Sequence, residues 1–452
     1  MPVLHYMGVA KHLTWFQHIA QEKYMSVHQL DIVSLKELCK KHGADDVGGV
    51  ELDRPALVMH KGDMLHAFSG ARSLVCLAKK IHSESIRSPV SYIKDTEFAY
   101  ISKELTAVAH GVLSELFRQG VKGVAESVVF PMNSARWPGK IWTVPLKTLA
   151  VEAGLGHMGM NRLILHPEFG SYVYFSGLLI DHALSQYDSP LPAKDSPCLQ
   201  CRLCMTACPT GAIRDANSFG FISCLTHNYR ERLGGFIDWS EHLAASRNTR
   251  AYRNAVSDRE AVSMWQSLFC GTGTKCDYCM AVCPAGTAHA AEYTANKQGY
   301  FARVAKPLME KAVEVFVVPG SDADFYIKQK TPNAKIRYVS NGIRPASASD
   351  FLSSLPLMFQ REPAVGVSAR YHFTFTGHEQ IKATVCIENQ TLEVLTGHIG
   401  NADCSVIADS DTWIKVLAKR QSLFVALLSR KIRVTGALTY LKAFKRCFPS
   451  GA

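Results

Sequence analysis

Two related cysteine runs constrain the fold of this chain more than any other feature of its sequence. The first run is CLQCRLCMTACP from Cys198, in which two, two and three residues separate four cysteines and a proline follows. The second run is CDYCMAVCP from Cys276, and it lacks one cysteine of that pattern. In bacterial two-cluster ferredoxins a run of this spacing wraps a 4Fe–4S cluster, and its fourth cysteine ligates the other cluster. The spacing therefore predicts two clusters with interleaved ligands.

The two predicted ligand sets combine the tight runs with one distant cysteine. Cys224, in the segment FISCLTHN, replaces the cysteine that the second run lacks. The first predicted set is Cys198, Cys201, Cys204 and Cys283. The second predicted set is Cys208, Cys224, Cys276 and Cys279. Zinc is the alternative, since it also binds cysteine pairs of this spacing, but zinc sites rarely use three such cysteines followed by the x3-C-P ending.

Composition and the N-terminal segment favour a cytoplasmic protein. The segment MPVLHYMGVAKHLTWF lacks the basic start, the apolar stretch and the cleavage site of a secretory signal. No run approaches the ~18 apolar residues that a membrane-spanning helix needs. Cytoplasmic thiols stay reduced, so the 14 cysteines are interpreted as ligands before disulfides. With 47% hydrophobic and 20% charged residues over 452 positions, we expect a globular protein of two or three domains.

The formal net charge of +11 leaves several kinds of partner open. Nucleic acid, an anionic membrane surface and an acidic redox partner would each be attracted by such an excess. Because the basic residues are interpreted as dispersed along the chain, a solvated basic surface is the favoured interpretation.

Hydrophobic periodicity predicts an α+β protein. KELTAVAHGVLSELFRQG has helical spacing, whereas ARSLVCLA and SYVYFSGLLI are typical of buried strands. The alternating YHFTFT and IKATVCIE predict strands, and two helices, a strand and a last helix follow them. Residues 318–350 are rich in Pro, Gly, Ser and Asn, which is typical of a linker. The predicted divisions are residues 1–190, a cysteine-rich domain 191–317, a linker 318–342 and an α+β domain 343–452.

A second group of motifs lies just before the cysteines. Residues 149–181 contain AGLG, then HPEFGS and a strand, and the segments GARSLVCLAKKI and ELFRQG precede them. In this order the motifs resemble the epoxyqueuosine reductase and reductive dehalogenase superfamily over roughly residues 60–290. The resemblance implies a nitroreductase-like α/β domain that binds cobalamin, and a ferredoxin-like module whose two 4Fe–4S clusters supply electrons to cobalt. It assigns the cofactor contacts to Gly154, Gly156, His157, Gly159, Asn161, His166, Gly170, Ser171 and Tyr172.

The residues around this region depart from both families. Epoxyqueuosine reductases usually carry an aromatic residue at the position of His157 and a basic residue at that of Met160. Reductive dehalogenases usually carry arginine where Tyr174 stands. We therefore expect that the cofactor machinery is retained and that the substrate pocket differs.

Reductive bond cleavage also requires a proton donor. The segment KDTEFAYIS offers Asp95, Glu97 and Tyr100 where both families have an acid. Tyr100 is the preferred catalytic residue, because a phenol stays protonated at neutral pH, and His157 is the alternative. A purely structural role is the competing interpretation for both side chains.

Residues 343–452 resemble the sterol carrier protein fold. The resemblance is carried by YHFTFTG, IKATVCIE, DCSVIADSDTWIKVL and SRKIRVTGALTYLKAF. It implies an apolar tunnel for a lipid-like ligand, whereas the alternative is the ordinary core of a structural or dimerising α+β domain. The candidate tunnel residues are Phe373, Phe375, Trp413, Leu417, Phe424, Leu427, Leu428, Leu438 and Leu441.

Together these resemblances imply a cobalamin-dependent iron–sulfur reductase that cleaves a C–O, C–halogen or similar bond in a hydrophobic small molecule. No flavin or nicotinamide motif is found, so an external ferredoxin or flavodoxin is the expected electron donor. Helical repeats for tRNA and an aromatic stacking platform are lacking, so no nucleic-acid partner is expected. The alternatives are an electron-transfer adaptor and a protein that binds cobalamin or lipid without turnover. The oligomeric state, including a homodimer, stays open.

Overall fold

A computed structural model describes residues 29–139, 141–215, 218–271, 273–311, 313–330 and 334–450. The prediction that the N-terminal segment is no secretory signal falls outside these ranges. In the part of the chain that they cover, no helix is long and apolar enough to cross a membrane.

The first unit places helices on both faces of an antiparallel sheet. Its strands are β1 (Gln29–Leu30), β2 (Asp46–Glu51), β3 (Ser73–Lys80), β4 (Gly123–Ala125), β5 (His157–Met158), β6 (Ile164–Leu165), β7 (Val173–Ile180) and β8 (Ala183–Leu184). Its helices are α1 (Ile32–Lys41), α2 (Val58–Ala67), α3 (Ser83–Arg87), α4 (Ser91–Arg118) and α5 (Leu146–Glu152). The main sheet has the order β2-β3-β7-β4, while β1 pairs with β8 and β5 with β6.

The central strand β3 is buried on both faces, which explains its unbroken apolar sequence. Val75 and Leu77 point into a core with α1 and α4, where Leu105 belongs to the apolar stripe of α4. Leu74 and Cys76 point into the opposite core with α2 and α5. Because successive strand residues face opposite sides, this three-layer arrangement confirms the strands predicted at residues 71 and 171.

The cysteine-rich region is helical. Its helices are α6 (Leu203–Ala207), α7 (Phe221–Asn228), α8 (Gly234–Ala245), α9 (Thr249–Ala255), α10 (Asp258–Cys270), α11 (Tyr278–Ala281), α12 (Thr287–Ala295), α13 (Lys297–Tyr300) and α14 (Lys306–Met309). A π-helical turn, Phe301–Ala305, joins the last two. The segment between Cys224 and Cys276 therefore forms α8 to α10, which lie outside the tight cysteine runs.

The segment predicted as a linker is instead a folded unit. Strands β9 (Glu314–Val317) and β10 (Lys335–Tyr338) pair in parallel, and α15 (Asp322–Lys330) connects them. The linker prediction was wrong because the polar residues of this segment have partners far away in sequence. The buried Asp322 accepts hydrogen bonds from the backbone N–H groups of Arg361 and Glu362, and it pairs with Arg214.

The C-terminal domain has a five-stranded sheet and four helices. Its strands are β11 (Ala369–Thr376), β12 (Ile381–Glu388), β13 (Thr391–Thr396), β14 (Cys404–Asp409) and β15 (Ile432–Gly436). Its helices are α16 (Ala348–Met358), α17 (Ser410–Leu417), α18 (Leu423–Leu428) and α19 (Leu438–Cys447). The sheet order is β13-β12-β11-β14-β15, with β11 and β14 parallel and the other pairs antiparallel.

The alternation along β11 fills the core of this domain with aromatic rings. Phe373 and Phe375 are at most 2% exposed, and both contact the ring of Phe351 on α16 and that of Trp413 on α17. Two of the candidate tunnel residues are therefore packed in the core. Five others, Leu417, Phe424, Leu427, Leu428 and Leu438, are exposed.

Candidate functional site

The first predicted cysteine set meets around one cavity. Cys198, Cys201, Cys204 and Cys283 all line it. The loop reaches this arrangement through left-handed backbone at Gln200 (φ 51°) and at Arg202 (φ 61°). Burial, together with the other three thiols of the set, raises the pKa of Cys204 to about 12. The pKa of Cys283 is also raised to about 12, chiefly by burial.

The second predicted set behaves in the same way. Burial raises the pKa of Cys224 to about 12, with a contribution from Cys208. The pKa values of Cys276 and Cys279 are raised well above the usual range by burial and by the other thiols of this set. The thiol–thiol interactions that raise these pKa values stay within each predicted set.

Each set fits a 4Fe–4S cluster by the chemistry of its donors. Three thiols of each set have raised pKa values and so resist ionisation, and a group of iron ions would supply the missing positive charge. They are Cys201, Cys204 and Cys283 in the first set, and Cys224, Cys276 and Cys279 in the second. The thiols of the first set surround a cavity. Among the described residues, no three potential ligands converge closely enough for a single metal ion. The assignment of individual cysteines to each cluster stays a prediction.

Three of the predicted cofactor contacts fasten the second cysteine run to the first unit. The side-chain amide of Asn161 donates to the Cys279 carbonyl at 3.1 Å. The hydroxyls of Ser171 and Tyr172 donate to the carbonyls of Met280 and Ala281 at 3.0 and 2.8 Å. All three side chains are at most 5% exposed. In the structure these groups therefore position the cysteine loop. Their contact with cobalamin stays a prediction.

Lys94 on α4 holds the other end of this loop. Its Nζ donates to the carbonyl of Cys276 at 2.8 Å and to that of Thr274 at 3.0 Å, and it pairs with Asp277 at 3.0 Å. Lys94 is 6% exposed, and burial alone would lower its pKa. The nearby acids, led by Asp277, outweigh burial, so the pKa is raised. The sequence motifs gave no signal for this residue.

Both predicted histidines bond to the protein. His166 Nδ1 accepts the N–H groups of Glu168 and Phe169, and Nε2 therefore donates to Asp46 at 3.1 Å. Nε2 of His157 lies 3.1 Å from the carbonyls of Leu191 and Pro192. A proton on Nε2 would therefore be directed at backbone carbonyls. The role of His157 as a proton donor stays a prediction.

The four predicted glycines pack against protein. A Cβ added at Gly154, Gly156, Gly159 or Gly170 would meet other protein atoms closer than 3.0 Å. Gly170 has φ 62°, and the atom its Cβ would meet is the carbonyl oxygen of Ala285, just after the second run. Glycine is therefore required at this position because two chain segments pack closely there. A contact between this glycine and the ring of cobalamin stays a prediction.

Five polar side chains of the first unit and the cysteine-rich region interact electrostatically with one another. They are Asp95, Tyr174, Tyr229, Arg232 and Asp277, and we call them the tyrosine–arginine cleft. Tyr174 and Tyr229 are half-exposed to solvent, yet burial among surrounding atoms raises the pKa of both above the usual range. Both side chains are therefore closely surrounded by other atoms and yet reached by solvent, and the name cleft refers to this arrangement.

Arg232 is the cation of this cleft. Its guanidinium lies 5.1 Å from the centre of the Phe130 ring, and its Nε is buried without a hydrogen-bond partner among the described residues. Burial lowers the pKa of Arg232, while Tyr174 and Tyr229 oppose that shift. An arginine placed over an aromatic ring with an unused donor is able to bind a negatively charged or hydrogen-bond-accepting group.

The second cysteine set forms one boundary of this cleft. Burial is the main cause of the raised pKa of Tyr229, and the nearby thiols of Cys224 and Cys279 raise it too. Lys147, at the start of α5, is exposed to solvent, yet its dense surroundings lower its pKa. The same two thiols oppose this shift. Lys147 donates to the Arg162 carbonyl at 2.7 Å. Lys147 and Tyr229 therefore share Cys224 and Cys279 as electrostatic neighbours.

Of the three acids predicted on α4, only Asp95 lies in the cleft. Asp95 accepts the N–H of Thr274 at 3.3 Å, and burial raises its pKa. Glu97 instead accepts the His82 N–H at 2.8 Å. Tyr100 is 60% exposed, and Phe98, two residues before it, is the side chain that stacks on Tyr174 at 5.4 Å. The structure does not bring Tyr100 to the cleft.

Sequence reasoning missed Tyr229, Arg232 and Lys147. The first two follow Cys224 within eight residues, in CLTHNYRER, and polar residues directly after a cluster ligand are the signal that was available. Lys147 lies just before the AGLG motif and belongs to no motif of its own.

Comparison with known proteins confirms the predicted resemblances. A model described as "4Fe-4S binding domain" matches residues 195–214, and one described as "SCP-2 sterol transfer family" matches residues 360–449. The epoxyqueuosine reductase of Salmonella typhimurium is 31% identical over 30% of this chain and 34% of its own length. That of Listeria monocytogenes is 25% identical over 49% of this chain and 50% of its own.

The chain is thus an iron–sulfur protein related to oxidoreductases. More particularly, it combines a part similar to epoxyqueuosine reductases with a C-terminal SCP-2 domain. It spans about a third to a half of the length of these curated relatives. A solved catabolic reductive dehalogenase matches 60% of this chain and 35% of its own at 17% identity and a TM-score of 0.37, which is too weak to support an inference.

Proposed function

We propose that the protein is a cobalamin-dependent 4Fe–4S reductase that cleaves a C–O, C–halogen or similar bond. The observation that carries this proposal is the tyrosine–arginine cleft, which adjoins the second cysteine set. The names of the relatives support a reductase, and the departures at His157, Met160 and Tyr174 support a different substrate. Cobalamin bound in the cleft would supply a strongly reducing two-electron centre beside the substrate.

The two cysteine sets define a direction for the electrons. Cys224 and Cys279 border the cleft, so the cluster of the second set would be the proximal one. The first set lines a separate cavity, where Cys198 and Cys201 are only half-buried. That cluster would accept electrons from an external ferredoxin or flavodoxin. Lys147, which interacts with the same two cysteines, would lie against the cofactor.

The proton donor in this proposal is a cleft tyrosine rather than Tyr100. Burial raises the pKa of Tyr174 and of Tyr229, so both phenols stay protonated at neutral pH and are able to donate to a carbanion or alkoxide. Arg232 would stabilise the negative charge left on the substrate through the charge of its guanidinium, which interacts with both tyrosines. Asp95 would hold the loop at Thr274.

A hydrophobic small molecule remains the proposed substrate class. Tyr229 and Trp137 pack against a cluster that contains Ile343 and Met358, together with Phe448 of the C-terminal domain. The SCP-2 domain, whose family description concerns sterol transfer, therefore adjoins one wall of the cleft. A lipid-like molecule held by that domain would have a short path to the reacting groups.

Anaerobic reconstitution with iron, sulfide and cobalamin tests the function and the ligand sets together. We expect about eight irons per chain, from two four-cysteine sites, and about one cobalamin with an altered visible spectrum. Cys224→Ser removes one predicted ligand and should reduce the iron content to about four. Cys270→Ser, an exposed cysteine in the same region, should leave both counts unchanged. Two clusters without cobalamin would reject the reductase in favour of an electron-transfer adaptor.

A further inference from the structure

Helix α18 of the C-terminal domain exposes almost its entire apolar surface. Its sequence is LFVALL, and only Ala426 is buried. The five other side chains are between 40 and 69% exposed, namely Leu423, Phe424, Val425, Leu427 and Leu428. Leu438, at the start of α19, is 71% exposed. Several large apolar side chains exposed on one helix usually mark a binding surface.

The same elements carry most of the net charge of the chain. Residues 412–452 contain nine Lys and Arg and no Asp or Glu, so they contribute +9 of the formal net charge of +11. The excess of positive charge is therefore concentrated in this segment, although 41 of the 50 basic residues lie elsewhere in the chain. All nine are exposed, and within the described ranges none forms an ion pair. They are Lys415, Lys419, Arg420, Arg430, Lys431, Arg433, Lys442, Lys445 and Arg446.

The charges adjoin the apolar helix. Lys419 and Arg420 precede α18, Arg430 and Lys431 follow it, and α18 itself contacts α17 and β15. We call this surface, formed by α17, α18, β15 and the start of α19, the basic apolar face. A second copy of the chain would bring another nine positive charges against it. A nucleic acid would pair with the charges but leave five apolar side chains without contacts.

We propose that the basic apolar face docks on an anionic lipid bilayer. Phe424, Leu427 and Leu428 would enter the boundary between headgroups and acyl chains, while the surrounding lysines and arginines contact lipid phosphates and carboxylates. This is surface binding by a short helix and not a membrane span. The proposal is independent of cobalamin and of the reductase activity, and it would place the SCP-2 domain where a membrane lipid is available.

Sedimentation of the full chain with vesicles tests the proposal. We expect binding to phosphatidylcholine vesicles that contain about 30% phosphatidylserine, and at least tenfold weaker binding to pure phosphatidylcholine. Raising the salt to about 0.5 M should weaken the binding several-fold, because screening shortens the range of the charges. Phe424→Ser with Leu428→Ser, both 69% exposed, should weaken it at least tenfold.

A matched variant separates this face from general stickiness. Trp265 and Phe269 on α10 are 64 and 80% exposed, so Trp265→Ser with Phe269→Ser removes a similar apolar area elsewhere and should leave binding unchanged. Unchanged circular dichroism shows that both double variants fold. The proposal is overturned by equal binding to both vesicle types, or by no effect of the α18 variant. A concentration-dependent dimer that the α18 variant abolishes would assign the face to a second copy instead.

Discussion

Tyr172 separates two interpretations of the residues around the AGLG motif. Its hydroxyl donates to Ala281 at 2.8 Å and accepts from Arg87 at 3.0 Å, at 1% exposure. Tyr172→Phe removes the shorter of two hydrogen bonds to this carbonyl, to which Arg87 Nε also donates at 3.4 Å, and the loss should cost about 1 kcal/mol of stability. Because that carbonyl belongs to the second cysteine loop, we expect a lower melting temperature and faster loss of iron, measured together on the anaerobic protein.

The control for this substitution is Tyr92→Phe, where the side chain is 61% exposed. It should change neither the melting temperature nor the rate of iron loss. If Tyr172 contacts only the cofactor, cobalamin affinity falls in Tyr172→Phe while melting and iron content stay the same.

A functional residue is predictable from the sequence when a motif of neighbouring residues marks it. The spacing of the cysteines is a local pattern, and in the structure the thiols interact within the two sets that it predicts. Tyr100 was selected for its chemistry alone, whereas the helical phase of α4 turns Phe98 toward Tyr174 and leaves Tyr100 in solvent. Arg232 has no motif, so only the folded chain reveals its place over Phe130.

At the scale of elements, a buried ion network holds the helices between Cys224 and Cys276. Arg230 is 1% exposed and pairs with Asp238 at 2.7 Å and with Glu260 at 2.9 Å. Arg230→Met would leave Asp238 without its arginine and Glu260 with Arg337 as its remaining arginine, which should cost about 3 kcal/mol. Amide hydrogen exchange should show this loss as a lower free energy of opening for α8 and α10.

The matched substitution is Arg253→Met on the neighbouring α9. Arg253 is exposed, so its removal should change hydrogen exchange little. Equal effects of the two substitutions would contradict a buried network and point to a general sensitivity of these helices.

The same network explains why one element was not predictable. Glu260 also pairs with Arg337 of β10 at 2.9 Å, so part of the presumed linker is fixed by a residue more than seventy positions away. Turn-forming composition predicts a linker when only neighbours in sequence are considered. The strands of the first unit and of the C-terminal domain were predictable because their alternation is itself local.

At the scale of the whole molecule, the C-terminal domain is packed against the cluster region and not tethered by a flexible segment. Met358 of α16 lies in one apolar cluster with Ile222 and Leu225 of α7, the helix that carries Cys224. The order of domains was therefore predictable from motifs, but their contact was not, because it depends on surface shape that no motif encodes.

Met358→Asp tests this contact. Met358 is 9% exposed, and a carboxylate there would have to be desolvated between α16 and α7. We expect the C-terminal domain to separate from the cluster region, seen as a larger radius of gyration in small-angle X-ray scattering. Met309→Asp, at a position 40% exposed, should leave the scattering curve unchanged. If the scattering curve of Met358→Asp is unaltered, this apolar cluster does not hold the C-terminal domain against the cluster region.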